Sequence, residues 1–411
     1  MTGRGEVPIG RRVAQWRARR RMTQQALADR LGKSKSWVDK VERGARALDK
    51  FSLIRQIADV LRVEPAVLLG ERPATLVGAA PVDGLDGVRT ALARYGGLPQ
   101  VGCQVSAVEL RRQVGHAWLS YQHARYPQVV RLLPGLLDAA RGLPRDDAEL
   151  LVQVYRMASA VLVKLGEPDL AWLAADRAAT VAGGDALLAG TAAVAVGQAL
   201  RAAGRERLAL TATFDAAVRL VPALAGTAGD APEPTPGASA VGGTLLLQAA
   251  FAAATCGEVR QAGQLLNRAA DLAAGSRDRA GVGQNGDQTP GEDAQRICFG
   301  PVVVELARVL VAVERGDAAE AVCRHEVVIR RDGWRRLPAE YRGAYLVDAA
   351  RAYLLAGDLL GAGRMLVAAD AVAPAEVRSR SSARTLLAEI ARGRPAPAGV
   401  ARLTTLAGLT R

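Results

Sequence analysis

Five stretches of this chain share one pattern. "GEPDLAWLAADRA" begins at residue 166, "GRERLALTATFDA" at 204, "GEVRQAGQLLNRA" at 257, "GDAAEAVCRHEVV" at 316 and "GDLLGAGRMLVAA" at 357. Each opens on Gly and places Ala five residues later, at Ala171, Ala209, Ala262, Ala321 and Ala362. A small apolar residue follows at twelve: Ala178, Ala216, Ala269, Val328 and Ala369. An apolar helical run such as "AELLVQVYRMASAVLVKL" or "YRGAYLVDAARAYLLA" precedes each unit. Gly can turn the chain between two antiparallel helices, and small residues let the pair approach closely. The pattern therefore predicts a stack of helix pairs, an all-α fold whose concave surface is suited to binding.

Spacing between the five glycines is uneven, and the two longest gaps hold Pro- and Gly-rich sequence. These are "VPALAGTAGDAPEPTPGASAVGG" (221 to 243) and "GSRDRAGVGQNGDQTPGEDAQ" (275 to 295). Both are expected to be non-helical, mobile insertions. A weaker first unit lies around "YQHARYPQVVRLLPGLLDAA". The array so defined resembles the tetratricopeptide-repeat superfamily in a degenerate form, over roughly 105 to 375. The repeat domain is assigned to 105–411, and residues 73–104 to a linker and connecting helix, with "ERPATLVGAAPVDGLD" at 71 to 86 as the linker sequence.

Charge separates a head from this body. Residues 1 to 72 contain 17 Lys or Arg against 8 Asp or Glu, whereas the whole chain has 54 against 41. Most of the formal +13 thus sits in the first sixth of the sequence. A basic head on a nearly balanced body points to nucleic acid.

Within the head, "TQQALADRLGKSKSWVDKVERG" (23 to 44) reads as two short helices. Thr23 caps the first and Gly32 ends it. Ser34 caps the second, which stops at Gly44. At 100° per residue, Lys35, Ser36, Asp39 and Lys40 share one side of the second helix, and Trp37, Val38 and Val41 share the other. Such a helix can rest on a core and offer its polar side outward, which is the helix-turn-helix arrangement. "IGRRVAQWRARRR" supplies a helix before it, with Ile9, Val13 and Trp16 on one face, and "FSLIRQIADVLRVEPAVLLG" supplies two after it.

The run T-Q-x-x-L-A-x-x-L-G-x-S-x-S-x-V-x-x-V-E-x-G, with the following L-x-x-I-A-x-x-L-x-V-x-P-x-x-L-L, closely resembles the phage-repressor or Cro/XRE-type helix-turn-helix family over residues 8 to 70. The resemblance implies a five-helix head at 1–72. It implies base-edge contact by Lys35, Ser36, Asp39 and Lys40, and phosphate contact by Gln24, Arg43 and Arg46. Arg17 and Glu42 match a structural pair tying the first helix to the third. Lys can donate to guanine and Asp can accept from cytosine N4, so these types read sequence, whereas Arg43 and Arg46 position. Trp37 is assigned to core or sugar packing.

Other chemistry finds little support. "GVGQNG" (281 to 286) fits G-x-G-x-x-G but follows no strand pattern. Cys103, Cys256, Cys298 and Cys323 form no C-x-x-C pair, and His116 with His123, or Cys323 with His325, gathers no metal set. No nucleophile, base and acid constellation stands out, so neither enzyme activity, cofactor nor metal is expected. His116, Trp118, Tyr121 and His123 are the residues assigned to an effector pocket. "MTGRGEVPIGRR" has no apolar h-region, and runs such as "GTLLLQAAFAAATC" at 243 to 256 fall short of a membrane span, so no membrane partner and a cytoplasmic location are expected.

The expectation is a bacterial transcription regulator that binds double-stranded DNA as a homodimer. Its repeats would take a peptide, small-molecule or protein effector. The alternative is an interaction scaffold or antitoxin-like inhibitor whose head only autoregulates. Copurification of a stoichiometric protein would favour the second, and an effector-dependent mobility shift the first.

Overall fold

In a computed structural model of the chain, all five repeat glycines, Gly166, Gly204, Gly257, Gly316 and Gly357, take positive φ between 69° and 85°. Only Gly adopts that region without steric cost. Ala171, Ala209, Ala262, Ala321 and Ala362 are fully buried, as are their small partners twelve residues beyond each glycine or nearly so. The periodicity thus marks real turns and real helix crossings. In the weaker first unit Ala124 occupies the turn and is forced to φ 56°. A Cβ there costs about 1–2 kcal/mol, and Gly is missing from the one position where the pattern would have made the unit obvious.

The structure describes residues 9–20, 22–46, 48, 51–61, 63, 68, 84–94, 106–144, 147–225, 234–280, 295–393 and 397–409. These hold helices and no strand. They divide into two compact units, one within residues 1–78 and one spanning nearly all of the remainder.

The first unit contains α1 (Ile9–Arg19), α2 (Gln24–Leu31), α3 (Lys35–Glu42) and α4 (Phe51–Leu61). Val13, Leu27, Val38, Val41, Ile54, Ile57 and Leu61 form its core. Of the expected fifth helix only Leu68 is described, and it is buried in that core.

The second unit begins with α5 (Leu85–Ala93) and continues as helix pairs. The pairs are α6 (Ala107–Gln122) with α7 (Tyr126–Arg141), α8 (Ala148–Lys164) with α9 (Pro168–Ala182), and α10 (Ala186–Ala202) with α11 (Glu206–Leu220). They continue with α12 (Pro236–Thr255) and α13 (Val259–Ala280), α14 (Pro301–Glu314) and α15 (Ala318–Val328), then, after the short α16 (Asp332–Arg336), α17 (Ala339–Ala356) and α18 (Leu359–Val372). The short α19 (Pro374–Arg378), α20 (Ser381–Arg392) and α21 (Val400–Leu406) close the end. Successive first helices α8, α10 and α12 also pack on one another, and the apolar residues of neighbouring pairs gather into large buried clusters.

Both expected insertions are shorter than their composition suggests. Residues 236–243 are helical, because Thr235 caps α12 through the Ala238 N–H and Pro236 starts the helix where its missing N–H costs nothing. Residues 275–280 extend α13. Pro222–Ala225 forms a short 3-10 helix, residues 226–233 and 281–294 lie outside the described residues, and so does most of the 71–86 linker, whose last two residues open α5. Helix α12 is long and apolar enough to cross a membrane, but 83% of its apolar window is buried within the unit. Cys256, Cys298 and Cys323 form no disulfide with one another, and Cys103 is outside the described residues.

Candidate nucleic-acid interface

Helix α3 is built at both ends as its sequence directs. The Ser34 hydroxyl accepts from the Trp37 N–H at 3.1 Å, and Gly32 caps α2 in the left-handed conformation, φ 63°. Thr23 likewise accepts from the Ala26 N–H. Val38 and Val41 are buried, while Lys35, Ser36 and Lys40 are exposed on the other side and Trp37 is half-buried at the edge. The side chains of Lys35, Lys40 and Arg46 make no hydrogen bond or ion pair among the described residues. An α-helix seated by its apolar face and presenting unspent donors is the geometry a major groove accepts.

Glu42 is the hub that holds this helix. Arg17 on α1 forks onto it, Nε to Oε1 at 2.6 Å and Nη2 to Oε2 at 3.0 Å. The third Arg17 nitrogen reaches the Met22 carbonyl at 2.7 Å. The hydrogen bond to Glu42 raises the Arg17 guanidinium above its ordinary value, against the opposing effect of burial. Bidentate pairs of this kind fix orientation as well as energy.

Three of the assigned residues already have partners within the head. The Gln24 amide, assigned to phosphate, donates to Glu42 Oε2 at 2.9 Å, so part of its donor capacity ties α2 to α3. Asp39, assigned to base readout, accepts from Arg43, assigned to phosphate. The two lie four residues apart, one turn of the same helix, where opposite charges meet.

Sequence reasoning missed Gly10. A Cβ there would stand 1.9 Å from the Val41 carbonyl oxygen, so α1 crosses the end of α3 at a distance only Gly allows. Arg20 and Arg12, passed over as bulk charge, donate to the Leu61 carbonyl at 3.0 Å and the Leu68 carbonyl at 3.4 Å.

Residues 8–69 match the family model described as a helix-turn-helix domain. The head is a helix-turn-helix domain. No curated protein matches the chain. Among solved structures, the Bacillus thuringiensis PlcR in complex with the peptide PapR7 and DNA is similar at 11% identity, with a TM-score of 0.36, over 79% of this chain and 95% of that one.

The assigned effector pocket does not form as one cluster. His123 is exposed on the turn after α6, its Nδ1 on the Leu119 carbonyl. The exposed His116 meets the half-buried Gln128 on α7. Trp118 and Tyr121 point elsewhere and are packed edge to face, their ring centres 5.7 Å apart. The cause is helical period: positions 116 and 123 share a face that 118 and 121 do not.

Tyr121 belongs to a buried ionic cluster that sequence reasoning also missed. Lys164 at the end of α8 lies 2.6 Å from Glu340 on α17 and 2.7 Å from Glu376 on α19. Tyr126 donates to Glu376, Tyr121 to Glu340 at 3.3 Å, and Arg380 approaches Glu376 at 3.5 Å and Asp348 at 3.9 Å. Burial pulls the Lys164 ammonium down, but the two glutamates outweigh it and hold it above its ordinary value. Burial likewise pushes Glu376 up, and Lys164 and Arg380 outweigh that and keep it ionised. Helices more than two hundred residues apart in sequence are thereby joined.

Proposed function

We propose that this chain is a Cro/XRE-type transcription regulator that binds double-stranded DNA by seating α3 in the major groove. The observation that carries the proposal is the division of α3 into a buried side, Val38 and Val41, and an exposed side bearing Lys35, Ser36 and Lys40 with their donors unspent. Lys35 and Lys40 donate to guanine edges, and Ser36 to either strand. Arg43 and Arg46 position the helix on phosphates. Asp39 accepts from cytosine N4, and in the free protein it also holds Arg43 in place. Gln24 contributes its backbone N–H, at the start of α2, and the amide hydrogen that Glu42 leaves unused.

The reading extends to a homodimer with heads one helical turn of DNA apart, about 34 Å, on an inverted site. The helical-repeat unit takes an effector that binds one head spacing better than another, which is all an effector needs to change affinity. Action on chromosomal DNA places the protein in the cytoplasm.

Selection of bound duplexes from a random pool tests this. The proposal expects an enriched inverted repeat with wild-type protein, and altered bases at one or two positions in each half-site with Lys40→Ala. A pool that emerges unenriched would overturn it.

A further inference from the structure

The connection from α13 to α14 runs from 281 to 300, far longer than the turns that join most neighbouring helices, and a segment of that length in a compact domain calls for a reason. Its described part, residues 295–300 or "QRICFG", contains no helix or strand. What it touches is informative. Arg156 on α8 donates to the Gln295 carbonyl at 2.9 Å. The Arg296 guanidinium lies 3.8 Å from the point where a Cβ on Gly115 of α6 would stand. Ile297 is buried in the cluster that also holds Val241 and Leu245 of α12. Cys298 lies beside Tyr341 of α17 and contributes, after burial, to raising that phenol. The far end of the Phe299 ring presses on Gly243 of α12, within 2.0–2.5 Å of where a Cβ would be.

Four helices, α6, α8, α12 and α17, therefore meet one six-residue segment, and each is the first helix of its pair. In stacked helix pairs one set of helices lines the inner surface. The meeting of four first helices on the segment places it along the inner face. The segment is also held under strain, with Arg296 at φ 53°, a conformation that non-glycine residues keep only when their surroundings impose it. Beside it the Trp118 indole N–H is buried and meets no acceptor among the described residues, below an Arg156 guanidinium 5.7 Å from the ring centre. A buried donor without a partner next to a gripped backbone carbonyl marks a surface made to receive peptide carbonyls.

We infer that the inner face of the helical repeats is a binding site for an extended peptide, and that residues 295–300 of the chain itself are its resident occupant. The inference deepens the effector role proposed for the repeats. A competing ligand is an extended peptide that offers a backbone carbonyl to Arg156 and an aromatic side chain to the bare surface at Gly243. It has to displace a segment whose tethering gives it an effective concentration of about millimolar, so free peptide competes poorly with the intact chain.

The test uses full-length protein and a fluorescein-labelled peptide of residues 294–300, AQRICFG, under reducing conditions, with a scrambled peptide as control. Phe299→Ala weakens the resident segment and is expected to bind the peptide at least tenfold more tightly than the wild-type chain does. Adding Arg156→Gln to that variant is expected to remove the gain. A folded Phe299→Ala protein that binds AQRICFG no better than the scrambled control would overturn the inference, as would equal binding to wild type and variant. If Phe299→Ala does not fold, millimolar AQRICFG is added to the wild-type chain and hydrogen exchange is followed at residues 295–300. Faster exchange there with AQRICFG alone supports displacement, and unchanged exchange refutes it. Because peptide binding is read without DNA, a chain that takes the peptide but ignores every duplex would sink the regulator reading and leave this one standing.

Discussion

Replacing Lys164 by Met should be the most damaging single change in the helical-repeat unit. Lys164 neutralises Glu340 and Glu376 at 2.6 and 2.7 Å, and Glu376 has no exposed surface. Without the ammonium, Glu376 keeps a hydrogen bond from Tyr126 and only a distant approach from Arg380, at 3.5 Å. Removing one partner of a buried pair leaves an uncompensated charge, at about 3–5 kcal/mol. Spread over a unit of this size, each kcal/mol lowers Tm by roughly 2 °C, so a fall of roughly 6–10 °C follows. Thermal unfolding watched by circular dichroism reads it. Glu376→Gln alone should also destabilise, whereas the double variant Lys164→Met with Glu376→Gln should lose less than the two single losses combined, because each removes the other's unpaired charge. If Lys164→Met melts within 2 °C of wild type, the cluster is solvated in solution and its place as the clasp between the ends of the array is wrong.

The remaining predictions concern both units. Gly10→Ala forces α1 away from the Val41 carbonyl. It should cost about 1–3 kcal/mol of head stability despite Ala's better helix propensity, and should reduce affinity for every duplex; a variant with unchanged melting would refute the close crossing. Arg43→Ala should weaken binding to all duplexes alike and reduce the slope of log affinity against log salt by about one, read by anisotropy titrations at several salt concentrations. His325 is fully buried, with Nδ1 on the Tyr345 hydroxyl at 3.0 Å, and burial pulls it down to about 4. The unfolded chain therefore takes up a proton near pH 6.5 that the folded chain refuses until about 4. Stability is full above pH 6.5 and falls as the pH drops toward 4, by up to about 3 kcal/mol, and His325→Leu should flatten that part of the profile.

The repeat architecture was legible because its turns need left-handed glycines and its crossings need small residues, both of which leave a mark in sequence. The first unit was faint for the same reason, since Ala124 stands in the turn. The start of α12 could have been read more fully from Thr235 and Pro236, a cap and a first-turn proline that the surrounding Gly and Pro obscured. In the head, the wheel of α3 gave its two faces correctly, but not that Asp39 and Arg43 spend their charges on each other, though their spacing of four signals it. Gly10 looked like an ordinary helix residue because only the crossing with α3 shows why it is there. The ionic cluster was out of reach: its partners are brought together by closure of the whole array, which no local pattern encodes. One trace existed. Of five lysines in the chain, Lys164 alone lies outside the head, in a sequence that otherwise uses Arg.

The central claim is that α3 reads duplex sequence through its exposed lysines. It is tested most directly by the ratio of affinities for the selected duplex and a scrambled one, at fixed salt, for wild type and Lys40→Ala. The account predicts that Lys40→Ala narrows the ratio by about 1–3 kcal/mol, five- to more than a hundredfold, while affinity for scrambled duplex falls far less. A ratio left unchanged by Lys40→Ala, or a wild-type protein that holds both duplexes equally, would contradict it.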